Sequence, residues 1–217
     1  MSVRLKNGFR LISIFFLLSF PLQNSAKEVP RIKTTSWELI KQDEGIKILE
    51  RWVYLKEDFK VKERIGTMII DCSAEEILGI LRESKDIPKW MVNVENVELI
   101  KRETEDEWYV HTVFDTPWPF DQQDMVAQYE LRKQDPNTTL LTVTSRSALL
   151  PQKEDVTRLK DYHAEWVIEK IANNKIKVSF TTLCERAPEY PYWMQDPVVR
   201  KVFFNNLSNL RALVCES

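Results

Sequence analysis

Apolar residues fall on alternate positions along most of residues 37–185, and the period changes to that of a helix in only two places. "WELIKQD" and "IKILERWV" alternate on either side of Asp43-Glu44-Gly45, which predicts a hairpin. "FKVKERIGTMII" carries Phe59, Val61, Ile65 and Ile69 at even spacing, predicting a third strand with those residues on its buried face. In "SAEEILGILRES" Ser73 and Glu76 form a capping box, and Ala74, Ile77, Leu78 and Leu81 fall on one helical face, so a helix is predicted that ends before Pro88. Six alternating runs follow between residues 94 and 185, joined by short turns such as "TED", "DPNT" and "ANN", so neighbours are expected to pair antiparallel. The chain closes with "YWMQDPVVRKVFFNNLSNLRALVCES", where Asp196 can cap, Pro197 suits a first turn, and Val199, Val202, Phe203, Leu210, Leu213 and Val214 make an apolar stripe. About nine strands in one curved antiparallel sheet need a cover on the concave face, and this long helix is the element that fits. The expected class is α+β, a sheet gripping a C-terminal helix.

The first residues stand apart from this pattern. "MSVRLKNGFR" carries three basic groups and no acid, and the apolar "LISIFFLLSF" that follows is short for a bilayer span. Residues 1–26 are therefore expected to be a signal peptide cleaved after Ala26, the alternative being an uncleaved N-terminal anchor because Asn24 is not small, with residues 27–217 forming one exported domain, periplasmic or secreted. Of 31 basic and 33 acidic residues, only Arg4, Lys6 and Arg10 lie in that leader, so the remainder has a net charge of about −5 and no basic excess for nucleic acid. Cys72, Cys184 and Cys215 are too few for a disulfide framework or a zinc site. If one bridge forms, it is expected between Cys72 and Cys215, because a helix of some 20 residues carries Cys215 about 30 Å from the end where Cys184 sits.

Several strings in this order resemble one family, the START (steroidogenic acute regulatory protein-related lipid transfer) domains of the helix-grip fold. "TPWPFDQQD" is similar to the family's proline-bounded loop ending in Arg-Asp before a strand, with Asp124 at the Asp position and Gln123 where Arg is usual. Trp90 in "IPKWMVNVENVELI" matches the family's Trp after the first crossing helix, with Met91 replacing the acid that commonly follows. Arg158 fits the family's Arg ahead of its penultimate strand, and "ERAPEYPYWMQDPV" resembles its loop into the last helix without the usual glycines. The resemblance covers residues 36 to about 214. It implies a tunnel between sheet and C-terminal helix that holds one lipid or sterol-like molecule, with no chemistry done on it, no cofactor, no metal, and transient membrane contact.

Against that expectation the residues can be weighed singly. Phe114, Met125, Tyr129, Val143, Tyr162, Trp166, Phe180 and Phe203 are expected on the concave face, as core or as cavity lining. Trp118, fixed between two prolines that cannot join a β-ladder, is expected to cap one end of the sheet, either over a cavity mouth or as part of the core. Glu63 shares the phase of Val61 and Ile65, and Arg158 shares that of Tyr162 and Trp166 if its strand extends backward. The pair is expected to form the polar end of a ligand site, the alternative being two solvated strand ends. Asp124, His111 and His163 fall on polar positions, Asp124 tying down loop amides and the histidines facing solvent. Two rival functions remain: a helix-grip enzyme using a Glu63 of raised pKa, and an interaction module with a filled core.

Overall fold

The computed structural model describes residues 31–116, 118 and 121–215. The expected leader and its cleavage point lie outside them. Strands β1 (Lys33–Thr34) and β2 (Glu38–Asp43) are successive pieces of one edge strand lying antiparallel along β3 (Ile46–Tyr54). The β2–β3 turn places Glu44 and Gly45 both at positive φ, the hairpin geometry that the Asp-Glu-Gly string predicts. After β4 (Lys60–Ile70) comes α1 (Ala74–Arg82), whose Ser73–Glu76 capping box is formed in both directions and which buries Ile77, Leu78 and Leu81. A second short helix, α2 (Ile87–Trp90), restarts after a 3-10 turn and takes Pro88 into its first turn.

A meander follows: β5 (Val94–Thr104), β6 (Glu107–Phe114), β7 (Gln123–Lys133) and β8 (Thr138–Ser145). Short β9 (Thr157–Arg158) precedes β10 (Tyr162–Ala172) and β11 (Lys175–Cys184), and the long α3 (Tyr192–Cys215) ends the described chain. The sheet has eleven strands, nine of them on the path β1-β3-β4-β11-β10-β8-β7-β6-β5. β11 docks on β4 and joins the two halves. The exception to antiparallel pairing is β9, which runs parallel to β7 at Gln123 and Asp124, the stretch of edge that β8 leaves open because its own pairing stops at Ala127.

α3 lies across the inner face with Phe203, Phe204, Leu207, Leu210 and Val214 buried. It begins at Tyr192, a turn before the predicted start, so Pro197 is inside the helix and Asp196 is not its cap. Close approach is set by Gly66 at the middle of β4: a Cβ there would sit 2.2 Å from Leu207 Cδ1 and 3.0 Å from the Phe203 ring. This contact also settles the phase of β4. Gly66, Met68 and Ile70 face the helix, in register with Ile48, Val178 and Ile176. Val61, Glu63, Ile65 and Ile69 face outward, opposite to the phase read from the sequence, and Ile69 is 57% exposed. Both faces of this strand carry apolar residues at alternate positions, so the pattern has two solutions. The glycine that marks the inner one adds no hydrophobic signal.

Candidate functional site

The space between the inner face, α2 and α3 is crossed by a row of rings. Trp90, the last residue of α2, meets Trp166 edge to face at 5.8 Å; Trp166 stacks on Phe180 at 3.9 Å, and Phe180 on Phe203 at 5.3 Å. Trp166 and Phe180 are cross-strand partners on β10 and β11, so strand pairing builds the centre of the row. Beside it lies a cavity of about 30 Å³ walled by Met125, Tyr129, Val143, Tyr162, Trp166 and Phe180, together with Leu81, Ile87, Trp90, Met91, Leu141 and Ala164. No wall residue is an acid or a base. Burial pushes the Tyr129 phenol up to about 12 and raises that of Tyr162, so both hydroxyls are neutral hydrogen-bonding groups at any ordinary pH. The indole N–H of Trp90 is buried without a hydrogen-bond partner among the described residues. Trp108, stacked on Tyr129 at 5.4 Å, also has an unpartnered N–H, but its ring is not part of the cavity wall.

Of the residues expected on this face, Phe114 and Phe203 pack against the same core without lining the cavity. The expected charges lie elsewhere. Glu63 is 3% exposed but outward-facing, ion-paired with Arg51 and Arg31 beside a small outer cluster of Val53, Leu55, Val61 and Leu183. Arg158 does not continue β10: the chain turns at Asp161, which takes a positive φ, and β9 carries Arg158 to β7 instead. There its guanidinium donates to both oxygens of Asp124 at 3.0 and 2.6 Å and to the carbonyls of Ser147, Leu150 and Pro151. His111 Nε2 lies 2.9 Å from the same carboxylate and is buried, not surface-facing, because the segment after β8 folds over this outer patch. No Glu63–Arg158 pair exists, and neither residue faces the cavity.

Trp118 is 92% exposed and caps nothing. The Thr116 hydroxyl donates to the Asp121 carbonyl across the base of its loop, which leaves Trp118 beyond the strand ends.

An inward ion cluster escaped the sequence reading. At the start of α3, Glu50 accepts two hydrogen bonds from Arg200, at 2.9 and 2.7 Å, and one from Arg64 at 2.9 Å. Asp196 accepts from Arg64 at 2.7 Å and from Lys62. Burial alone would raise the Glu50 carboxyl, but the Arg200 hydrogen bonds and the charges of Arg64 and Lys62 hold it at about 2. The cluster pins the first turns of α3 to β3 and β4. Arg64 shares the phase of Gly66 and Met68, so the misread phase of β4 hid it.

The arrangement has close counterparts among solved structures. The STAR-related lipid transfer protein of Xanthomonas axonopodis matches with a TM-score of 0.73 at 24% identity, over 82% of this chain and 98% of that one. Human StAR-related lipid transfer protein 5 matches with a TM-score of 0.70 at 17% identity, over 83% and 86% of the two chains. Human STARD10 gives 0.69 at 14% identity, over 83% and 73%. The chain has the START helix-grip fold. No protein-family model matches it, and no curated protein matches it significantly in sequence. In the START fold of this chain, then, the grip is closed by Gly66 and the ion cluster, and the aromatic row lies between helix and sheet. Among the described residues no group of three His, Cys, Asp or Glu could hold a metal, and no helix is long and apolar enough to cross a membrane.

Proposed function

We propose that this domain binds one hydrophobic molecule, lipid or sterol-like, between the sheet and α3, for sequestration or transfer. The observation that carries the reading is the uncharged, aromatic wall between α2 and the inner face, to which the paired charges Glu50–Arg64, Asp124–Arg158 and Glu63–Arg51 contribute nothing. The ligand residues are Met125, Tyr129, Val143, Tyr162, Trp166 and Phe180, with Phe114 and Phe203 reached once the space widens. Binding draws on burial of apolar ligand surface, at about 25 cal/mol per Å². A cavity of about 30 Å³ has room for a water or two, so a lipid enters only when α2 and α3 move away from the inner face. Trp118, Leu149 and Trp193 are exposed on loops and the helix start at one end of the sheet, where amphipathic rings suit transient contact with a membrane.

The enzyme reading loses its acid, since Glu63 lies outside the cavity and is held by two arginines. The interaction module keeps one specific support, the small size of the cavity. Export rests on the basic and apolar stretches of residues 1–26; recovery of intact Met1 from a cytoplasmic fraction of the native host would end it. Native mass spectrometry of protein purified from that host decides between the binding readings. The expected result is a retained hydrophobic adduct at one copy per chain, and a bare chain under conditions that preserve such adducts would select the filled module.

A further inference from the structure

Resting on that lipid-binding reading, we propose that the cavity takes an uncharged molecule carrying a hydrogen-bond acceptor, a carbonyl, ester, ether or hydroxyl oxygen, and that the indole N–H of Trp90 is the donor that bonds it. Trp90 is 5% exposed, its ring is part of the cavity wall, and its N–H is buried without a partner among the described residues. A buried donor left unpaired is destabilising, and an acceptor brought by a ligand removes that cost. Its ring neighbour Trp166 offers a π-face, a weaker acceptor than an oxygen. The ring is also held in place: α2 is laced to α3, with Asn206 Oδ1 accepting from the Val92 amide at 2.8 Å and Asn209 Nδ2 donating to the Trp90 carbonyl at 3.3 Å. A donor fixed in position and unused in the protein is suited to an acceptor brought by a ligand.

The charge class follows from the walls. The wall residues that carry a polar N–H or O–H are Trp90, Tyr129 and Tyr162, all neutral. A carboxylate or phosphate drawn inside would meet no available cation, because Arg64 and Lys62 already serve Glu50 and Asp196, and Arg158 is spent on Asp124 on the opposite face. An ammonium would meet no anion, and burying either charge unpaired is prohibitive. Exclusion of charge here needs no repulsive group. It comes from desolvation.

The test uses two fluorescent probes with the same polyene chain, cis-parinarate and its methyl ester, titrated into the full chain at pH 8. The ester is expected to bind at least about tenfold tighter than the anion, and Trp90→Phe, which keeps a smaller aromatic ring and loses the donor, to weaken the ester about tenfold in a chain that still unfolds cooperatively. In the unmutated protein, the Trp90 indole proton should move downfield on addition of the ester in a ¹H–¹⁵N spectrum, with the Trp108 indole unmoved. Equal or tighter binding of the anion overturns the charge class, and full ester affinity in Trp90→Phe or an unmoved Trp90 resonance overturns the donor. If neither probe binds and no hydrophobic adduct is seen by mass spectrometry, the lipid-binding reading itself falls. If an adduct is seen and it is a charged lipid, only this inference falls.

Discussion

Asp124 joins Arg158 and His111 through one carboxylate, and Arg158 carries the link on to the loop carbonyls. Burial would raise its pKa, but hydrogen bonds from Arg158 and His111 lower it below the ordinary value. Because the folded pKa is depressed, this group stabilises the fold above the unfolded value and that contribution is lost as pH falls through the folded one. Asp124→Asn leaves Arg158 buried without its anion, which costs about 3–5 kcal/mol and should loosen residues 147–151; urea unfolding measures the first and amide exchange the second. Hydrophobic ligand retention should change little, since the triad is on the outer face. Glu50 obeys the same sign, its pKa falling from 4.5 to about 2. Its contribution, on the order of 3 kcal/mol at neutral pH, should vanish between those two values, so Glu50→Gln should be the less stable protein at pH 7 with a flatter pH dependence across that window. Parallel stability curves for the two proteins below pH 4.5 would show that the cluster does not hold α3 down. At this scale the sequence named Asp124 and Arg158 by resemblance, but their meeting depends on a positive-φ turn at Asp161 that alternation does not register.

Among the elements, α3 and β4 carry the grip. Gly66→Ala places a methyl 2.2 Å from Leu207 Cδ1, and Leu207 is itself fully buried, so neither side can yield. The substitution should destabilise the domain by about 1–3 kcal/mol through overpacking, and Leu207→Ala in the same chain should recover part of that loss. Urea midpoints of the two single variants and the double variant give the coupling directly; strict additivity would mean that the helix rides higher on the sheet than described. Strand number, strand order along the chain, the capping box of α1 and the stripe of α3 were legible because each has a strong period or a local hydrogen-bonding rule behind it. The phase of β4 was not. Val61, Ile65 and Ile69 compete with Met68 and Ile70, and a one-residue slip exchanges every side chain between faces.

Across the whole molecule, the two ends of the sheet differ in character. One holds the exposed Trp118, Leu149 and Trp193 and the start of α3; the other holds the end of α3 and Cys72, which follows β4. All three cysteines are free. Burial, with the nearby Glu76 and Cys215, pushes the Cys72 thiol up to about 11, so it reacts slowly, yet Cys215 is the thiol within its reach. Prolonged oxidation at pH 9 should give a Cys72–Cys215 peptide in a disulfide map and no Cys184–Cys215 peptide, since the 24 residues of α3 span about 36 Å between those ends. The reverse map would mean that α3 does not run the length of the sheet. From the chain alone came the α+β class, the sheet of about nine strands, the closing helix and most of the inner rings, because burial period and turn chemistry are local properties. Which face of β4 turns inward, where Glu63 and Arg158 find partners, how far Trp118 stands in water and how little space remains beneath α2 were decided only by the assembled sheet. Most of these depend on contacts between separate elements, from Arg158 with Asp124 to Arg64 with Asp196, and no local pattern encodes them.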